Sequence, residues 1–278
     1  MTNTACRTAF ENSPYRSIKH SSYFAVYEKF FSFFRNKPIT FVEIGVLDGG
    51  SLFMWREFFG PEARIIGVDF NPKAKRWEDH GFEIFIGNQA DPQFWAQFVD
   101  KVKTADIVLD DGGHTFEQQI VTVEALLPII KDGGLLMVED THTSYDIEFG
   151  GPSRYSFVEY AKNRVDGINY RSSMLAKHKA DRQSWGISFF ESFVIFHINR
   201  HESESDVELI ANGGIGEAAV DHRYADRLIV GKLGRVLDNF PALAKNDQIR
   251  KLRAQGGIAV RWLANLSRNR RLKEYRRF

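Results

Sequence analysis

The sequence predicts an α/β protein, a doubly wound and mostly parallel seven-stranded sheet followed by a basic C-terminal appendage. Three observations predict it. Short apolar runs rich in β-branched residues alternate with stretches of helical spacing, the pattern of βαβ units. Each of the first runs ends in glycine or aspartate, as strands do where a loop turns toward a helix. The last two runs, within residues 184–198, are separated only by Glu191 and Ser192, which suits an antiparallel hairpin closing the sheet.

In chain order, HSSYFAVYEKFFSFFR (20–35) puts Phe24, Tyr27, Phe30, Phe31 and Phe34 at helical spacing, and residues 1–36 are read as a helical lid. ITFVEIGV (39–46) is a nearly unbroken apolar run, the mark of a strand covered on both faces. A helix, SLFMWREFF, follows. RIIGVDF (64–70) is the second strand, a charged helix-like stretch comes next, and FEIFIGNQAD (82–91) is the third. FWAQFVDKV reads as a helix and ADIVLDDGG as strand four. TFEQQIVTVEALLPIIKDGG reads as a helix ending at Gly133, and LLMVEDTHTSY (135–145) as strand five. Within the polar stretch 146–182, FVEYAKNRV is a further helix. The core domain is thus placed at 37–200 and the appendage, read as helical, at 201–278.

Composition narrows the class. Of the 278 residues, 43% are hydrophobic and 26% charged, values of a folded globular chain and not of a disordered one. No apolar run approaches the ~20 residues that span a bilayer, and the start lacks a signal-peptide core, so a cytoplasmic location is expected. Cys6 is the only cysteine, which excludes disulfides within the chain and cysteine-based zinc clusters. Residues 222–278 hold 15 Lys and Arg against 4 Asp and Glu, leaving 22 against 32 in residues 1–221. The end of that tail interleaves Trp262, Leu263, Leu266, Leu272, Tyr275 and Phe278 with arginines. Such a pattern suits peripheral contact with an anionic membrane surface, or docking on the body or on a second copy in a homo-oligomer. The acidic body and the lack of an NPPY-type motif speak against nucleic acid as the partner.

A ligand of a doubly wound sheet lies beyond the carboxyl ends of its strands. After strand one, Gly45, Gly49 and Gly50 allow close backbone approach, but their spacing is not the GxGxxG of nicotinamide enzymes. Asp69 ends strand two, 24 residues after Gly45, where a carboxylate can bind ribose hydroxyls. With no GxxxxGK[ST] present, the nucleoside cofactor that remains is S-adenosylmethionine.

The blocks FVEIGVLDGGSLFMW, IIGVDFNP, GNQADPQF, IVLDDGGHTFEQQ, GGLLMVEDTHTSY and FFESFVIF, with SIKHSSYFAVY before them, resemble in that order the class I methyltransferases that methylate sugar hydroxyls of macrolides, and their cephalosporin-hydroxylase-like relatives. The resemblance runs from about residue 16 to about residue 200. It implies a Rossmann-like methyltransferase fold, S-adenosylmethionine as cofactor, and a sugar-containing small molecule or glycan as acceptor. By position it implies that Glu43, Gly45 and Ser51 line the methionine part of the cofactor, that Asp69 holds its ribose, and that Asn88 and Gln89 hold its adenine. The family usually has aspartate at the position of Asn88. It further implies that Asp110 lies beside the cofactor, that Asp111, Glu139 and Asp140 bind a divalent metal, and that His114 is the base.

Charge repulsion gives a separate reason for a metal. Strands four and five are neighbours in such sheets, so Asp110, Asp111, Glu139 and Asp140 would emerge side by side, a disfavoured arrangement unless a cation intervenes. Oxygen ligands point to a hard ion, Mg²⁺ with Mn²⁺ as substitute. A plainer reading has Asp111 and Thr115 capping the helix near Phe116, and Glu139 and Asp140 capping a following turn. His142 competes with His114 for the role of base, and His20 and Tyr23 are candidates to close over the site. A binding or scaffold module that has lost catalysis is the alternative to an enzyme.

Overall fold

The computed structural model describes residues 4–171 and 181–216; the chain divides into one unit at Met1–Val207 and another at Glu208–Phe278. The predicted tail helix lies outside the described residues, and residues 208–216 contain no regular element.

The first unit is built on a seven-stranded sheet in the order β3-β2-β1-β4-β5-β7-β6. The strands are β1 (Thr40–Ile44), β2 (Arg64–Asp69), β3 (Glu83–Ile86), β4 (Ala105–Asp110), β5 (Ile130–Val138), β6 (Gly186–Phe190) and β7 (Phe193–His197). The first five are parallel, and β7 runs antiparallel to both β5 and β6. Sequence order reverses at β1, between β2 and β4, which opens a crevice at the carboxyl rim there. Register aligns Ile44 with Asp110 and Asp110 with Val138, so the loops after β1, β4 and β5 leave the sheet at one level.

Side chains alternate between two apolar layers, as a strand's period of two requires. On β1, Phe41 joins Phe31, Trp55 and Phe59 on one face, while Val42 and Ile44 join Trp95, Phe98 and Leu126 on the other. The first layer also takes in α1 (Ala5–Glu11) and α2 (Tyr23–Phe31), and α3 (Gly50–Phe59) packs there through Leu52, Trp55 and Phe59. The second is covered by α4 (Pro92–Val102), α5 (Phe116–Leu126) and α6 (Phe157–Ile168). Each large side chain buried in these layers contributes roughly 1.5–3 kcal/mol. A short α7 (Arg200–Glu204) follows β7.

Several boundaries differ from the sequence expectation. The first long helix is α2 alone, continued by a 3₁₀ turn at Ser32–Phe34, and α1 precedes it. The charged stretch after β2 is a 3₁₀ helix, Pro72–His80. α5 stops at Leu126 because Pro128 cannot donate a hydrogen bond to a continuing helix, and β5 begins at Ile130 instead of 135. β5 ends at Val138, and residues 141–145 form a 3₁₀ turn.

Candidate active site

The helix caps settle what the acidic residues are not. Thr115 caps α5 by itself: its hydroxyl accepts from Gln118 N, and the Gln118 side chain accepts from Thr115 N, a complete capping box without Asp111. Asp140 precedes the 3₁₀ turn at 141–145 but its side chain makes no capping bond. Neither pair of carboxylates is held there by helix capping.

Beyond the rim of β1, β2, β4 and β5 lies a cavity of about 660 Å³. One half is a backbone cradle. Gly45 has φ +93°, and a Cβ there would run into the Asp111 carbonyl; a Cβ on Gly112 would strike the Gln89 side chain. Asp69 Oδ2 accepts from Val46 N at 2.8 Å and Leu47 N at 3.1 Å, which fixes its carboxylate at the wall between β1 and β2. Asn88 lines the same half, its Oδ1 accepting from Ala90 N.

Three residues expected at the cofactor stand behind this wall instead. Glu43 is fully buried, with Ser51 Oγ at 2.7 Å and Trp55 Nε1 at 2.9 Å donating to its two oxygens, so Glu43 and Ser51 brace β1 against α3 and do not line the cavity. Burial pushes the Glu43 carboxyl up to about 7, against the pull of Lys19 and these donors. Asp110, also buried, accepts from Gln89 Nε2 at 2.7 Å and Gly112 N at 3.2 Å, and burial raises it to about 7 as well. Gln89 does line the cavity, but its amide is engaged by Asp110, Thr122 and Gly113 N, so its side chain holds the loop after β4.

The other half is acidic. Asp111, His114 and Asp140 offer ligand atoms that all lie within 4.8 Å of one another, and all three line the cavity. His114 Nε2 is 3.5 Å from Asp140 Oδ2. Glu139 is fully buried, and its carboxylate accepts from the Tyr27 hydroxyl and from Lys19 Nζ, the latter at 3.0 Å. Lys19 Nζ also donates to Asp111 Oδ2 at 2.5 Å, and Tyr23 donates to Asp140. Burial opposes the charge on Lys19, but Asp111 and Glu139 outweigh it and hold the ammonium above the ordinary lysine range. The repulsion anticipated among these carboxylates is therefore met in part by a side chain. Asp111 and Asp140 fit a hard divalent ion with His114 beside them; Glu139 is available to it only once Lys19 leaves its carboxylate.

Sequence reasoning passes over Lys19 and Tyr27. Tyr27 follows Tyr23 by one helical turn, which is the sequence signal that both hydroxyls share a face. Lys19 has no comparable signal, because its partners lie 92 and 120 residues away.

A second cavity, about 530 Å³, shares His20 and Tyr23 with the first and is walled by Tyr145, Phe189 and Phe190. His142 opens onto this one, with Nδ1 3.0 Å from Ser192 Oγ and 3.8 Å from Asp140 Oδ1. The two candidate bases thus stand on opposite sides of Asp140.

Residues 42–141 match a family model described as a methyltransferase domain. The chain is 34% identical over 159 residues to the 8-demethyl-8-alpha-L-rhamnosyl tetracenomycin-C 2'-O-methyltransferase of Streptomyces olivaceus, covering 54% of this chain and 42% of the relative. It is 34% identical over 157 residues to the mycinamicin VI 2''-O-methyltransferase of Micromonospora griseorubida, covering 52% and 39%. The chain thus spans about 40% of the length of these curated relatives. Among solved structures, a methyltransferase of the mycinamycin biosynthetic pathway in complex with Mg, SAH and mycinamycin VI superposes with a TM-score of 0.64 at 25% identity, over 72% of this chain and 54% of that one.

Proposed function

We propose that the chain, whose residues 42–141 match a methyltransferase-domain model and lie on the seven-stranded sheet described above, is an S-adenosylmethionine-dependent, divalent-metal-assisted O-methyltransferase acting on a sugar hydroxyl. The observation that carries this reading is the meeting of a glycine-floored cradle at the sheet's switch point with Asp111, His114 and Asp140 in one cavity. The relatives named for methylating sugar-bearing natural products support the acceptor class.

Gly45 and Gly112 leave the floor of the cradle free of side chains, and the Asp69 carboxylate stands where ribose hydroxyls would reach it. S-adenosylmethionine bound there would supply an electrophilic sulfonium methyl. Asp111 and Asp140 would hold Mg²⁺ or Mn²⁺, whose positive charge makes a nearby hydroxyl more acidic. The acceptor enters through the second cavity, where Tyr145, Phe189 and Phe190 offer apolar faces to a sugar ring. His114 Nε2 would accept the hydroxyl proton as the acceptor oxygen takes up the methyl group that the cofactor supplies, its sulfur leaving as the neutral thioether. A glycoside, a polysaccharide or a glycolipid all present such a hydroxyl. The basic tail, outside the described residues, is the proposed contact with an anionic surface.

Titration calorimetry and turnover test the reading together. Asp111→Asn and Asp140→Asn should each abolish metal-dependent methylation of a sugar panel and leave S-adenosylmethionine affinity within about threefold of the parent. Unchanged turnover in both removes the metal from the mechanism. Cofactor binding without turnover on any sugar moves the chain to the scaffold class, and no cofactor binding defeats the enzyme reading.

A further inference from the structure

Lys19 has no part in the chemistry above, yet it holds a central position. Its side chain is 2% exposed, and its ammonium bonds to Asp111 and Glu139, two of the three carboxylates expected to take a metal. It also lies 5.7 Å from the centre of the Tyr27 ring. It is carried by residues 12–22, between α1 and α2, a stretch with no helix or strand.

We propose that Lys19 is a tethered counter-ion that exchanges with the divalent ion: with the ammonium in place Asp111 Oδ2 and Glu139 Oε2 are closed to metal, and an ion that takes these oxygens drives the ammonium out. The inference rests on the metal-assisted reading. An ion bound at roughly 2.0–2.1 Å from the two oxygens that Lys19 contacts would fall within van der Waals contact of Nζ, so the two cations cannot share them. Charge makes the exchange feasible in either direction. A dication is drawn to two carboxylates about twice as strongly as an ammonium at equal distance, but must shed tightly held water, whereas Lys19 is already desolvated. Exchange also changes the wall of the site, since Ile18, Lys19 and His20 line the first cavity together.

Mn²⁺ alone, titrated into the full chain and read by electron paramagnetic resonance, tests this. Lys19→Met should bind Mn²⁺ at least tenfold more tightly than the parent. In the parent, Mn²⁺ should raise acylation of Lys19 by an amine-reactive reagent several-fold, read by peptide mass spectrometry; this arm needs no variant to fold. Equal or weaker binding by Lys19→Met, with Asp111→Asn still abolishing it, overturns the exchange and leaves the metal reading standing, as does unchanged Lys19 labelling at saturating Mn²⁺. Asp111-dependent binding by Lys19→Met but not by the parent overturns the exchange, since the ammonium is then never displaced, and removes the metal from the parent's mechanism. No binding by either protein sinks both.

Discussion

His114 has a backbone φ of +59°, a left-handed value that side chains other than glycine rarely adopt. Its carbonyl accepts from Thr143 Oγ1 at 3.1 Å, which ties the turn after β4 to the one after β5 and aims the imidazole at Asp140. Such strain, of order 1–3 kcal/mol, persists where the surroundings impose it, as at reacting centres. His114→Ala should slow methyl transfer by about 10²–10⁴-fold in single-turnover assays without weakening cofactor binding; a near-parental rate gives the role to His142. Glu43 makes a separate prediction. Its carboxyl titrates near 7 in the folded chain and lower when unfolded, so the native state binds the extra proton and stability should fall as pH rises from about 5 to 7. Glu43→Gln cannot titrate, and denaturant melts of that variant should show a shallower fall across the same window.

At the level of elements, the loop after β1 is the sensitive point. Gly45 N donates to Val68 O at 2.8 Å, and the absent Cβ is what lets the β1 and β4 loops touch. Gly45→Ala must move the Asp111 carbonyl or leave its φ of +93°, at roughly 1–3 kcal/mol for the backbone alone. Thermal melts should register that loss, and cofactor affinity should fall with it. The strands themselves were legible in the sequence because buried parallel strands are apolar throughout and end abruptly, and their alternation with helices implies that the first five run parallel. The α5–β5 boundary was not, because LLPIIKDGG is apolar enough for either element and only the proline marks the break. For the site, Asp111, His114 and Asp140 were legible as residues just past strand ends. Glu43 and Asp110 show the limit: Asp110 is the last residue of β4 and points at Gln89 and Thr122, while Asp111, the first residue past the strand, meets Lys19. A motif read in one dimension does not say which of two neighbours faces the ligand.

Over the whole chain, formal charge is divided unevenly, with an acidic first 221 residues and a strongly basic remainder. Among the described residues no helix is long and apolar enough to cross a membrane. Deleting residues 260–278 should lower partition onto anionic vesicles at low ionic strength, and added salt should abolish the difference; identical partition leaves the tail to docking or self-association.

The contacts that close the acidic cleft join Lys19, Tyr23 and Tyr27 to partners 92 to 120 residues later in the chain. During translation the N-terminal segment therefore leaves the ribosome long before Glu139 and Asp140 exist, and its two tyrosine hydroxyls must wait for them until β5 has emerged and paired. A truncated product ending before residue 139 keeps the packing of α2 on Phe41, Trp55 and Phe59 but loses the carboxylates that Tyr23 and Tyr27 bond, so premature termination leaves two phenol hydroxyls without their partners.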